Sequence, residues 1–119
     1  MEKRNRIIYW IATGALSALM LMSASMYIFN YEMVSTTFVH LGFPTFIIYP
    51  LAIAKILGVI AILSKKSKLL KEWAYAGFFF DFVLALSAHL IAADGEFVPA
   101  FVAILLLIIS YRYDKKAFA

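Results

Sequence analysis

Two ionisable side chains lie inside long apolar runs: Lys55 within residues 46–63 and Asp81 within residues 73–92. A lysine offers up to three hydrogen-bond donors and a carboxylate only acceptors, so together they are able to hold a polar head group or relay a proton. Asp81 ends the stretch Lys71-Glu72-Trp73-Ala74-Tyr75-Ala76-Gly77-Phe78-Phe79-Phe80-Asp81, which passes from a charged turn through aromatics to a buried acid. Trp73 and Tyr75 have the planar faces to line a ligand entrance; the competing role is anchoring at a membrane interface. His89 is the candidate for proton exchange with the outer aqueous phase, since imidazole takes up and releases protons. His40, His89, Glu32, Asp94 and Glu96 fall toward the same side, but their spacing matches no metal-ligand motif, so no metal is assigned. No phosphate-binding glycine loop, Ser/His/Asp set or HExxH motif occurs.

The rest of the chain must place these residues in lipid. It has 119 residues, is 65% hydrophobic and has a mean hydropathy of +0.90. A small globule cannot bury that much apolar surface by itself, which makes this an all-α integral membrane protein of one domain spanning residues 1–119. The absence of cysteine excludes a dithiol relay, thiolate metal sites and iron–sulfur clusters within the chain. The net charge of +4 does not read as a nucleic-acid surface, because Lys and Arg collect at segment ends, where they serve as topology signals and lipid head-group contacts.

Four transmembrane helices are expected, at about residues 7–28, 46–63, 73–92 and 98–111. The first lacks formal charge and is too long for the apolar core of a cleaved leader, despite the Ser23-Ala24-Ser25 pattern. Residues 29–45 form the longest connection, with a short interfacial helix at 34–41. Pro50 is tolerated in the first turns of the second helix and Pro99 in the first turn of the fourth. Ala54, Gly58 and Ala61 form one small-residue face, and Ala74, Gly77, Asp81, Ala85, Ala88 and Ala92 another. Gly58 and Gly77 are therefore assigned to helix packing and Glu72 to the charged turn. The fourth helix is the plainest and is expected to be the most lipid-exposed.

Every Lys and Arg except Lys55 lies in the N-terminal segment, the connection between the second and third helices, or the C-terminal segment. The positive-inside rule then puts both termini in the cytoplasm and the protein in the plasma membrane as a multi-pass four-helix bundle. Inner aromatic belts would comprise Tyr9, Trp10, Trp73, Tyr75, Tyr111 and Tyr113, and outer ones Phe29, Tyr31, Phe46 and Tyr49. In that arrangement Lys55 is about 14 Å along its helix and Asp81 about 12 Å along its own, both near the bilayer midplane. Either charge alone there costs ~2.5–3.5 kcal/mol or more, so an intramembrane ion pair is expected. Such a pair is either a lock on helix register or part of a ligand pocket.

The order Leu41-Gly42-Phe43-Pro44, Leu51-Ala52-Ile53-Ala54-Lys55-Ile56-Leu57-Gly58, Lys71-Glu72-Trp73-Ala74-Tyr75-Ala76-Gly77-Phe78, Asp81 and Ser87-Ala88-His89 resembles the DoxX-like family of small membrane proteins. The resemblance covers about residues 40–110, with little from the first helix. It implies a four-helix membrane bundle. The wider DoxX/DoxD group is associated with membrane redox systems, including a subunit of a thiosulfate:quinone oxidoreductase. The shared positions are Lys55, Glu72, Trp73, Tyr75, Asp81 and His89. The leading expectation is a subunit binding a quinone or similar amphiphile, with Lys55 donating to a carbonyl oxygen and Asp81 orienting it or exchanging a proton. Besides the lipid bilayer, its partners would be a membrane or peripheral redox subunit, or a second copy of the chain. Two other classes remain: a non-enzymatic assembly factor or structural subunit, and a small proton-coupled transporter. The last ranks lowest, because the first helix lacks a membrane-embedded carboxylate.

Overall fold

The apolar runs all become helix, and helix continues beyond them at residues 2–6, 68–72 and 112–118, where good helix formers such as Lys, Arg and Glu flank them. The computed structural model describes residues 2–92, 95 and 97–118. In chain order the helices are α1 (Glu2–Phe29), α2 (Tyr31–Leu41), α3 (Ile48–Ser64), α4 (Lys68–Ala92) and α5 (Val98–Phe118), with a single 3₁₀ turn, Thr45–Ile47, leading into α3. Asp94 and Glu96 lie outside the described residues.

Three expectations about the connections change. Residues 31–41 are a full helix, not a long loop with a short helical piece. Its end is a Schellman motif: Gly42 adopts φ +86°, its N–H donates to Val39 O, and Phe43 N–H donates to Phe38 O at 2.8 Å. The Phe38 and Phe43 rings, 5.8 Å apart, supply the apolar contact that accompanies such a stop. The lysine-rich segment before Trp73 is likewise mostly helix. Ser67 caps α4 by accepting a hydrogen bond from Leu70 N–H at 3.2 Å, and Lys68 to Glu72 are strong helix formers. At the end of the chain, α5 continues past Tyr111, with Lys115 and Lys116 in its last turn, where cations offset the helix dipole.

α1, α3, α4 and α5 form a ring, in which α1 and α4 each pack against both α3 and α5. The shared core draws Leu16 and Met20 from α1, Val59 and Ile62 from α3, Phe78 and Phe82 from α4, and Ala103 and Leu107 from α5. α2 closes one end, where Val34 and Phe38 bury against Ile48. At the opposite, basic end the start of α1, the end of α3, the start of α4 and the end of α5 meet through Tyr9, Lys65, Lys71 and Asp114. The long axis of the molecule, 46 Å, is close to the full thickness of a bilayer.

Among the described residues, Glu2–Phe29, Thr45–Ser64 and Lys68–Ala92 are long and apolar enough to cross a membrane. The apolar part of α5, residues 98–111, rises only about 21 Å, shorter than the ~30 Å hydrocarbon layer. The outer surface suits lipid: Ile53, Leu57, Ile60, Phe80 and Leu84 are all more than half exposed. α5 is not the most exposed helix, contrary to expectation. It buries Ala100, Ala103, Leu107, Ser110 and Asp114, whereas α4 buries only Tyr75, Phe78 and Phe82.

Candidate ligand groove between α3 and α4

Gly58 brings α3 and α4 together. A Cβ at this position would stand 2.6 Å from Phe78 Cζ, so glycine is what lets the tip of that ring approach α3 so closely. Beside this contact the helices part, leaving a groove of about 750 Å³. Its wall is chiefly apolar, from Leu51, Leu57, Ile60 and Ala61 on one side and Leu70, Ala74 and Phe78 on the other. Gly77 forms part of its floor, and a Cβ there would meet nothing within 4 Å. The groove runs about 20 Å, from Leu51 to Ser64 along α3. Ser64, Lys66, Ser67 and Trp73 stand at its basic end, and Lys55 and Asp81 at its deep end.

Lys55 is buried and turns away from the groove toward α1. Its Nζ donates to Ser23 Oγ at 2.7 Å and lies 4.1 Å from the centre of the Tyr27 ring. Asp81 Oδ2 is further, at 3.9 Å from the same nitrogen. The two side chains differ in access: Lys55 keeps 7% of its surface exposed and Asp81 28%. Asp81 therefore offers carboxylate oxygen to the groove, and the lysine's donors point into protein. Among the described residues Lys55 is the one polar partner of Asp81.

The remaining candidate residues separate. Trp73 lines the groove and is 64% exposed. Tyr75 does not line it: the ring is buried in the core and its hydroxyl lies 2.7 Å from Ser110 Oγ. His89 lies near the far end of α4, outside the groove lining. Glu72 accepts hydrogen bonds from Tyr111 Oη at 2.9 Å and Lys115 Nζ at 2.8 Å, which fastens α4 to α5. Among the described residues no three His, Asp or Glu side chains gather closely enough to hold a metal ion.

The chain matches the model of the DoxX-like family over residues 11–111. It belongs to the DoxX-like family. The match takes in most of α1, which contributes little to the residue pattern, together with the whole groove and both charged residues at its deep end. No curated protein and no solved structure matches the chain.

This DoxX-like chain also has a polar cluster that sequence reasoning missed. Asp114, 2% exposed, accepts from Lys65 Nζ at 2.8 Å and from Lys71 Nζ at 2.6 Å. Lys65 also donates to Tyr9 Oη at 2.6 Å, with its ammonium 4.0 Å from the centre of that ring. Deeper in the bundle Thr13 Oγ1, Ser110 Oγ and Tyr75 Oη form a continuous buried hydrogen-bonded set. Tyr9 and Tyr75, expected in an aromatic belt, are instead core residues at 0% and 4% exposure, while Trp10 remains 46% exposed. Burial opposes the charge on Asp114, but hydrogen bonds from Lys65 and Lys71 outweigh it and hold the carboxyl below the usual carboxylate range. The only sequence signal was Asp114 itself, an acid set among the basic residues that end α5.

Proposed function

We propose that this DoxX-like membrane protein binds a small amphiphile of the quinone class in the α3–α4 groove, as a subunit serving a membrane redox system. The observation that carries the reading is the groove itself: an apolar channel of ligand size that opens sideways and ends at a Lys–Asp pair. A ring with oxygen substituents would sit against Asp81 and Lys55, and its tail would leave between Leu57, Ile60 and Trp73 toward lipid. A quinone supplies two-electron chemistry that no side chain of this cysteine-free protein provides, so electrons would come from or go to a partner's cofactor. The chain's own residues bind and orient the head, exclude water and exchange a proton through Asp81. In this reading the protein is a multi-pass plasma-membrane bundle with α1, α3, α4 and α5 crossing the bilayer and the basic end in the cytoplasm. Lys55 and Asp81 then form an intramembrane ion pair.

The test is mass spectrometry of lipophilic molecules co-purifying with wild type, Asp81→Asn and Gly77→Leu. A Cβ at 77, in the groove lining, meets nothing within 4 Å, so a leucine there is expected to occupy groove space. We expect a stoichiometric quinone in wild type that both variants lose. No specific ligand in any sample, with Asp81→Asn merely less stable, makes the Lys55–Asp81 pair a register lock.

One observation favours a second reading, a non-enzymatic assembly or structural subunit. The groove rim, with Leu57, Ile60 and Trp73 more than half exposed around the small residues Ala61, Ala74 and Gly77, is also a surface on which a partner helix or a second copy packs closely. Under that reading Lys55→Met combined with Asp81→Leu restores the stability that each single change removes.

A further inference from the structure

The two charged residues at the deep end of the groove are not equivalent toward a ligand. Lys55 commits its ammonium to α1: one N–H to Ser23 Oγ at 2.7 Å, with the charge set over the Tyr27 ring at 4.1 Å. Its remaining direction points toward Asp81 at 3.9 Å, and only 7% of the side chain is exposed. Asp81 has no donor within direct hydrogen-bond distance among the described residues, keeps 28% of its surface open, and lines the groove. A buried carboxylate gains most from a donor that reaches it directly, because charge-assisted hydrogen bonds are roughly twice as strong as neutral ones. The apolar walls around it leave few competitors for such a donor.

We infer that the α3–α4 groove selects amphiphiles whose head donates a hydrogen bond, with Asp81 as the acceptor and Lys55 as the fixed counter-charge behind it. The inference rests on the groove being a ligand site and reverses the polarity of the recognition: the group read is an O–H or N–H, not a carbonyl oxygen. Within the quinone class it means that the reduced, dihydroxy form binds better than the oxidised form. The two forms share shape and tail, so the difference between them isolates the donor. A long-chain primary ammonium has the same donor chemistry and is the other source to compare.

The experiment is calorimetric titration of the full chain in lipid nanodiscs with decylhydroquinone, held reduced under anaerobic conditions, and with decylbenzoquinone. Wild type is expected to bind the hydroquinone at least about tenfold more tightly. Asp81→Asn removes most of that preference by weakening the hydroquinone alone. Ser23→Ala, which frees a donor of Lys55 and leaves Asp81 in place, narrows the preference by improving quinone affinity; this variant serves if Asp81→Asn does not fold. Competition with dodecylamine then decides the source of the donor, an ammonium if it displaces the hydroquinone and a hydroxyl if it does not. Equal binding of the two forms, or tighter binding of the quinone, overturns the inference and leaves the groove as a ligand site. Binding of neither form, or binding untouched by Gly77→Leu, overturns the groove reading itself.

Discussion

Asp114 shows how much can hang on one side chain. It accepts from two lysines on either side of the α3–α4 turn, Lys65 and Lys71. Asp114→Asn removes the charge from a buried site that both lysines surround, and should cost about 2–4 kcal/mol; the partial exposure of the lysines keeps it from the upper end of the range for buried pairs. Thermal unfolding in detergent or nanodiscs measures it. The pH dependence follows from the direction of the shift. The carboxyl titrates lower in the folded protein than in the unfolded chain, where Asp is near ~3.9. Its contribution is therefore complete above the unfolded value and disappears as pH falls through the lower, folded value. Wild type should lose stability below about pH 4 more steeply than Asp114→Asn. Parallel acid profiles for the two proteins count against the cluster. This residue was hard to read in the sequence because Asp114-Lys115-Lys116 has the composition of a solvated tail. Lys55 and Asp81 were legible for the opposite reason, each being the one formal charge in a long apolar run. Which way Lys55 would turn was not legible, since Ser23 and Tyr27 come from α1 and nothing in the sequence of α3 points to them.

Between elements, Gly58 governs how closely α3 approaches α4. Gly58→Ala drives a methyl into Phe78, whose ring is 95% buried and stacks on Phe82 at 5.9 Å, so relief is limited. We expect a loss of about 1–3 kcal/mol, read as a lower melting temperature, with little change at Gly77→Ala, which meets open space. Equal melting temperatures for the two variants would contradict the close approach. Helix existence was readable from apolar runs and flanking charges, and the glycine faces were readable from spacing. Helix ends were less so: a lysine-rich stretch is compatible with both a loop and a first turn, and it was Ser67 as cap that settled α4 as the longer helix. Burial of Tyr9 and Tyr75 was not readable either, because a tyrosine near a helix end has the same local pattern whether it faces lipid or Ser110.

Taken whole, the molecule has a basic end, where the start of α1, the turn between α3 and α4 and the end of α5 meet. Its lack of cysteine makes topology directly testable with single cysteines introduced at Lys3, Ser67, Lys116 and Thr37. A membrane-impermeant maleimide added outside intact spheroplasts should label only Thr37→Cys, and the other three should react after permeabilisation. Labelling of Lys116→Cys from outside would leave α5 short of a full crossing, as its brief apolar stretch allows.

The unequal fastening of the α3–α4 hairpin has a mechanical consequence. At its turn the hairpin is clasped by Asp114 through Lys65 and Lys71, and α4 is pinned again by Glu72 to Tyr111 and Lys115. At depth, α3 and α4 share one long ionic contact. Ionic fastening is thus concentrated at the basic end, and the packing of Phe78 on Gly58 is the next hold along the hairpin. Asp81 lies beyond both holds and Trp73 between them, so opening of the groove at its deep end moves the Asp81 carboxylate further than it moves Trp73.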